Sequence, residues 1–306
     1  MQNLKKQRFR EYLELGASLY IPASRCDLIE CVHKPEITSL RSIIICLEDA
    51  VLEAERYEAL DRLARLLKQG LPETKVFVRP KNPHLLAKIL RLEGVEQLEG
   101  FVLPKIGLDT IAQYIDLLQD HSSFRLMPTL ETVAAFRSSE LEKLKIALEP
   151  IKTSILCIRI GANDLFSLLG IKRMPSQIIY ESPLRTVIDQ VVLCFRSENY
   201  PIVAAVYDFI EDFNTLKREL EQDINYGLFS KTAIHPRQIP LIESHYQVTQ
   251  SELEQAQAIL SKEARAVFQF NGQMCEPCIH QAWAEQVLGR AEIYGVKRDV
   301  PSASFQ

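Results

Sequence analysis

No apolar run in this 306-residue chain reaches the roughly 18 residues that a membrane-spanning helix needs. The formal charge of −4 gives no global pull toward nucleic acid or an anionic membrane. No Gly/Ser linker, low-complexity tract or internal repeat divides the chain. The N-terminus, MQNLKKQRFREYLEL, is basic but lacks an apolar core followed by a small-residue cleavage site, so no secretory signal is expected. The seven cysteines are odd in number and scattered, with Cys46, Cys157 and Cys194 inside apolar runs. That suits a reducing cytoplasm, where a buried thiol acts as a small hydrophobe. What remains is an ordinary globular composition, 47% hydrophobic and 25% charged, long enough for one large domain or two ordinary ones.

Only Cys275 and Cys278 look like a pair, with His280 two residues on. The spacing allows zinc or redox chemistry, but a structural zinc site needs four ligands and no second CxxC exists. The plainer reading is two partly buried thiols near a loop.

Short apolar segments rich in β-branched residues recur along the chain: Ser18–Pro22, Ile43–Leu47, Lys75–Val78, Gly100–Leu103, Phe124–Pro128, Ile155–Ile160, Ile202–Val206 and Gly227–Lys231. Each has the length of a strand and reads as buried on both faces. Stretches of helical period separate most of them, such as EAERYEALDRLARLLKQG, which ends in glycine. Eight alternating units predict a (β/α)8 TIM barrel over residues 1–240. An open doubly wound sheet is the alternative, weakened by the lack of GxGxxG after the first strand. After His235 the chain reads as mostly helical, through TQSELEQAQAILSKEARAVFQF and QAWAEQVLGRAEIYGV. Residues 241–298 therefore read as a helical C-terminal extension, docked on the barrel or on a neighbouring subunit, and 299–306 as a loose tail. Trp283 and Tyr294 read as helix-face core or subunit contact.

Residues at the carboxyl ends of barrel strands face the active site. Glu48 and Asp49 follow the second strand, Arg79 the third, Lys105 the fourth, Glu131 the fifth and Asp164 the sixth. One such charge proves little, since Asp49 or Asp164 could simply cap the next helix. Five successive strands ending in ionisable groups predict convergence on one mouth. Carboxylates without a histidine cluster favour a hard cation, Mg2+ or Mn2+, which takes one or two protein carboxylates and leaves other positions to water and substrate. A nearby guanidinium can hold a substrate carboxylate in bidentate fashion. Cation plus arginine suits a small oxyacid substrate.

The segments LYIPA, IIICLEDAV, FVRPKN, FVLPK, PTLET, IGANDL and GLFSKTAIHPRQIPLI resemble, in order, those of the HpcH/HpaI aldolase and citrate lyase β-subunit superfamily. The resemblance covers roughly residues 16–280 and is nearer the citrate lyase β-subunit-like branch, through LEDAV and the IHP segment. The aldolase branch carries an early histidine base that His33, in CVHKPE, does not match. The resemblance implies a TIM barrel, a Mg2+ site, carbon–carbon bond cleavage or formation, and a homo-oligomer, a trimer or a multiple of it. It makes Glu131 and Asp164 the metal ligands and Arg79 the holder of the substrate carboxylate. Glu48 and Asp49 become the acidic pair around metal-bound water, and Lys105 an ion-pair or substrate contact. In some acyl-CoA relatives a C-terminal aspartate reaches a neighbouring subunit's site as acid or base. Here GQMCEPC places Glu276 at that position. His235, in AIHP, is expected to be structural.

The departures concern CoA. Relatives using CoA thioesters carry an arginine where this chain has Ala17, a lysine early in the next helix where it reads LIECVHK, and an arginine where it has Leu60. CoA phosphates need cations, so these losses argue against an ordinary CoA ester. The expected activity is a Mg2+-dependent lyase or aldolase on a free oxo- or hydroxy-acid. An acyl-CoA lyase, or a noncatalytic ligand-binding or scaffold protein on the same barrel, is the rival reading.

Overall fold

The computed structural model describes residues 2–297, and the expectation for the tail 299–306 lies outside them. The chain divides into two compact units, Met1–Ile239 and Pro240–Gln306.

The first unit is a parallel barrel of eight strands: β1 (Ala17–Pro22), β2 (Ser42–Cys46), β3 (Lys75–Arg79), β4 (Gly100–Leu103), β5 (Arg125–Leu130), β6 (Ile158–Ile160), β7 (Ile202–Val203) and β8 (Lys231–Ala233). Sequence neighbours pair throughout, and β1 also pairs with β8. A parallel bridge from Ala204 to Lys231 joins the two ends of the sheet and completes the (β/α)8 arrangement. Every residue of β2 is buried, as expected for a strand with side chains on one face and helices on the other. The helix Arg56–Gln69 shows how the outer ring forms. Ala59, Leu63, Leu66 and Leu67 share its buried face, and Gly70, at φ +105°, ends it by donating its N–H to Leu66 O at 3.1 Å. Each buried leucine contributes about 2 kcal/mol as an upper value.

The first five strands lie within two residues of the sequence expectation at each end, and the larger differences fall in the last three. β6 and β7 are shorter than their apolar runs. The eighth strand begins at Lys231, where the expected segment ended. The reason is Gly227, at φ +72°, which closes the helix Phe213–Asn225 by donating to Ile224 O at 2.8 Å. Leu228 and Phe229 then form the helix exit rather than the strand.

The second unit carries the helices Gln250–Leu260 and Pro277–Tyr294 around a small core of Val248, Ala256, Ile259, Cys275, Ala284 and Val287. Thr249 and Glu252 cap the first of these helices reciprocally. One stretch read as helical is instead an antiparallel hairpin, Phe268–Phe270 with Gln273–Cys275. Its turn is Asn271–Gly272, both left-handed at φ +46° and +81°, the dihedrals of the tight hairpin turn that Asn-Gly favours. Cys275 is buried in this core and Cys278 is exposed. Trp283 is at the border of exposure, while Tyr294 is buried against the ring of Tyr246.

Candidate active site

The alternation of strand side chains fixes which residues point into the barrel. Tyr20, Cys46, Arg79, Thr129, Arg159 and Thr232 all line one cavity of about 380 Å3, together with Glu48, Asp49, Glu131 and Asp164 from the segments that follow the strands. Lys105 joins them through its side chain, so six of the seven sequence-derived site residues meet at this mouth. The seventh, Glu276, belongs to the second unit, where its backbone N–H donates to His280 Nδ1 at 3.0 Å.

Arg79 is the hub. Its Nε and Nη2 donate to Glu48 Oε2 at 3.2 and 3.0 Å, and Nη2 also reaches Glu131 Oε1 at 2.8 Å. Nη1 donates to none of the described residues. Lys105 provides the second cation. Its Nζ contacts Glu48 Oε1, Asp49 Oδ2 at 2.7 Å and Asp164 Oδ1 at 3.4 Å. Its own backbone is left-handed, at φ +49°, and that conformation aims the Lys105 N–H at Glu131 Oε1, 2.8 Å away. A non-glycine residue in that region is locally strained, and here the strain accompanies a site contact.

The two buried carboxylates on Arg79 are held oppositely. Burial pushes the Glu48 carboxyl up. The Arg79 charge, the Lys105 hydrogen bond and the Asp49 N–H overcome it and hold Glu48 at about 2. Burial also raises Glu131, which has Arg79 but not the Lys105 ammonium and feels Asp164 and Glu48 as like charges, so it stays above its usual value. Asp164 is likewise raised, by burial first and then by Glu48 and Asp49.

Four carboxylates thus face two cations, leaving two negative charges. Glu131 Oε2 accepts no hydrogen bond from the described residues, and Asp164 is only half-buried. Among the described residues no three His, Cys, Asp or Glu side chains form a ready-made ligand set. Glu131 and Asp164 line the same cavity, and its excess of carboxylate oxygens fits a hard divalent cation. A family model described as C-C bond lyase of the TIM-barrel fold matches residues 10–296. The chain belongs to the C–C bond lyase family.

Its relatives within the citrate lyase β-subunit and HpcH/HpaI superfamily share nearly the whole length. It is 27% identical over 288 residues to a (3S)-malyl-CoA thioesterase of Cereibacter sphaeroides, with 90% of this chain and 93% of that one covered. It is also 27% identical over 287 residues to a citrate lyase subunit beta-like protein of Deinococcus radiodurans, covering 88% and 95%. Among solved structures, CitE of Mycobacterium tuberculosis in complex with magnesium, acetoacetate and coenzyme A superposes with a TM-score of 0.67 at 25% identity, over 91% of this chain and 98% of that one.

Within this family member, Gly161 explains how Glu131 fits. A Cβ there would lie 2.0 Å from Glu131 Oε2 and 2.5 Å from Glu131 Cβ. Gly161→Ala is expected to force the Glu131 carboxylate off Arg79 and to cost about 1–3 kcal/mol. Urea unfolding measures it, and an unchanged midpoint would show that Glu131 has room to shift.

Sequence reasoning missed Arg159, Thr129 and Tyr20. The available signal was a charge inside the apolar run ILCIRI, two residues before Gly161 and so on the inward face. It also misread Ala17. That residue is fully buried at the amino end of β1, paired with Lys231, at the opposite end of the strand from the carboxylates. A cation lost there says nothing about a ligand at the mouth. His235 serves its own turn, accepting from the Arg237 N–H at 3.2 Å, and His33 is exposed, tied to Ile29 O.

Proposed function

We propose that this family member is a Mg2+-dependent lyase or aldolase that makes or breaks a carbon–carbon bond in a small oxo- or hydroxy-acid. The observation that carries the reading is the doubly negative oxygen cluster on Arg79 and Lys105, opening into a cavity sized for a small ligand. The magnesium bound in the M. tuberculosis CitE complex supports it. Glu131 and Asp164 would hold the cation, which supplies stabilisation for the negative charge that develops on a carbonyl oxygen beside the breaking bond. Arg79 Nη1 binds the substrate carboxylate. Glu48 holds the Arg79 plane in place from the other side, and Lys105 offsets the carboxylates that remain. Glu276, from a neighbouring copy in a homo-oligomer, is the proposed proton carrier, on the strength of the resemblance alone.

The free acid is the proposed substrate form. Arg25, Arg56, Arg62 and Lys81, in or near the segments after the first three strands, are each paired with an acid of this chain: Asp27, Glu53, Glu58 and again Glu53. Cations so engaged are less available to CoA phosphates. A second reading, an acyl-CoA lyase or thioesterase, is favoured by the coenzyme A in the CitE complex and by the names of the relatives. A Mg2+-dependent screen separates them by comparing oxaloacetate, malate and citramalate with their CoA esters. Turnover of the free acids is expected. Turnover of the esters alone would defeat the free-acid form, and tight binding with no turnover of either would mean a noncatalytic barrel.

A further inference from the structure

Arg159 is a buried guanidinium with no carboxylate partner among the described residues. It is 3% exposed, and its hydrogen bonds go to Met127 Sδ at 3.5 Å and to Thr232 Oγ1. Its carbon Cζ lies 5.6 Å from the centre of the Tyr20 ring. Other buried cations differ. Arg79, Arg173 and Lys231 each meet carboxylates, and Arg290 donates to backbone carbonyls. A charge taken out of water without a counter-ion is costly, and a thioether and a hydroxyl are weak compensation.

A second group beside it is also incomplete. Thr129 pairs with Arg159 in the β5–β6 register, so the two side chains sit side by side. The Thr129 hydroxyl is buried, lines the cavity and has no hydrogen-bond partner among the described residues. Thr232, from β8, lines the same cavity. Thr129 is two residues before Glu131, and Arg159 two before Gly161. This layer therefore lies about 6–7 Å further down the barrel than the carboxylates. Tyr20, whose ring Arg159 covers, lines the same cavity as Arg79.

We propose that Arg159, Thr129 and Thr232 form a second anion-binding subsite on the cavity floor, which takes the distal carboxylate of a dicarboxylic oxo- or hydroxy-acid while Arg79 holds the other. The inference rests on the proposed oxyacid reading of the mouth and sharpens it to a dicarboxylate. The guanidinium supplies the charge and Thr129 its unused donor. Both need a ligand acceptor that the folded chain does not provide, so this layer is built for binding rather than for stability.

The test is calorimetric titration of the Mg2+-loaded protein with oxaloacetate and with pyruvate, which share the α-keto-acid head and differ in the second carboxylate. The wild type is expected to bind oxaloacetate at least about 10-fold more tightly. Arg159→Gln should weaken oxaloacetate by about 10- to 100-fold and pyruvate by less than about 3-fold, the range of a charged hydrogen bond. Arg159→Lys should recover part of the preference. Thr129→Val should weaken oxaloacetate by about 3- to 10-fold without lowering the unfolding midpoint, because it removes a hydroxyl that bonds to nothing in the protein. This variant decides the matter should Arg159→Gln fail to fold. Pyruvate binding equal to oxaloacetate, or equal losses for both in the variants, would overturn the floor subsite and leave the oxyacid mouth standing. Failure of the wild type to bind either acid would overturn the oxyacid reading and the subsite with it.

Discussion

Lys231→Met is expected to destabilise the protein by about 3–5 kcal/mol, a large share of the 5–15 kcal/mol typical of a domain. Lys231, on β8, points away from the barrel interior into the helix Phe213–Asn225, and its exposure is nil. There Nζ meets Glu219 Oε1 at 2.8 Å and Asp223 Oδ2 at 2.9 Å, two acids one helical turn apart and equally buried. Arg173 adds a second cation to Glu219 at 2.8 Å, and the Tyr180 hydroxyl donates to Asp223 at 2.7 Å. Burial pushes both acids up. Glu219, with two cations, still lies below its usual value, whereas Asp223, with Lys231 alone and Glu219 as a like charge, stays above. Methionine would keep the packing, leave Asp223 without a cation in a dry interior and leave Glu219 with Arg173 alone. Lys231→Met/Asp223→Asn should regain part of the loss, since one stranded charge becomes neutral. Urea unfolding of the three proteins measures this, and a single-variant cost below about 1 kcal/mol would mean that water reaches the cluster.

The barrel was legible because eight β-branched runs and the helices between them obey two different periods. The residues after strands two to six were legible for a related reason: a strand end in this fold is a place on the mouth. What escaped had local causes. The eighth strand was set four residues early because Leu228 and Phe229 are as apolar as a strand, while the left-handed turn at Gly227 assigns them to a helix exit. The hairpin at 268–275 was hidden under helical period, although Asn271–Gly272 carries its turn in plain sight. Arg159 and Lys231 are single charges in apolar runs. A charge in an apolar run shows its face only once the strand's alternation is anchored to a residue at the mouth. That alternation places Arg159 inside the barrel beside Thr129 and Lys231 outside against two acids.

On the proposed assignment, Glu131→Gln and Asp164→Asn should each lower Mg2+ affinity by about 10²-fold or more, at least what the loss of an outer-shell partner costs a metal site, and turnover of the oxyacid should fall with it. The two variants should part company in stability. Glu131 Oε1 accepts from both Arg79 Nη2 and the Lys105 backbone N–H. A glutamine there can keep its oxygen on these donors but loses the charge that faces buried Arg79, and it turns an amide NH2 toward Gly161. About 1–3 kcal/mol should be lost. Asp164 is half-buried, and Lys105 keeps Glu48 and Asp49 when Asp164 loses its charge. Asp164→Asn should therefore unfold within about 0.5 kcal/mol of the wild type. Titration with Mg2+, followed by urea unfolding without it, reads both quantities. Wild-type affinity in both variants would move the cation elsewhere. Lost affinity in Glu131→Gln alone, with Asp164→Asn unaffected, would give the second ligand to Glu48 or Asp49, and Lys105 would then have to leave them to make room for the metal.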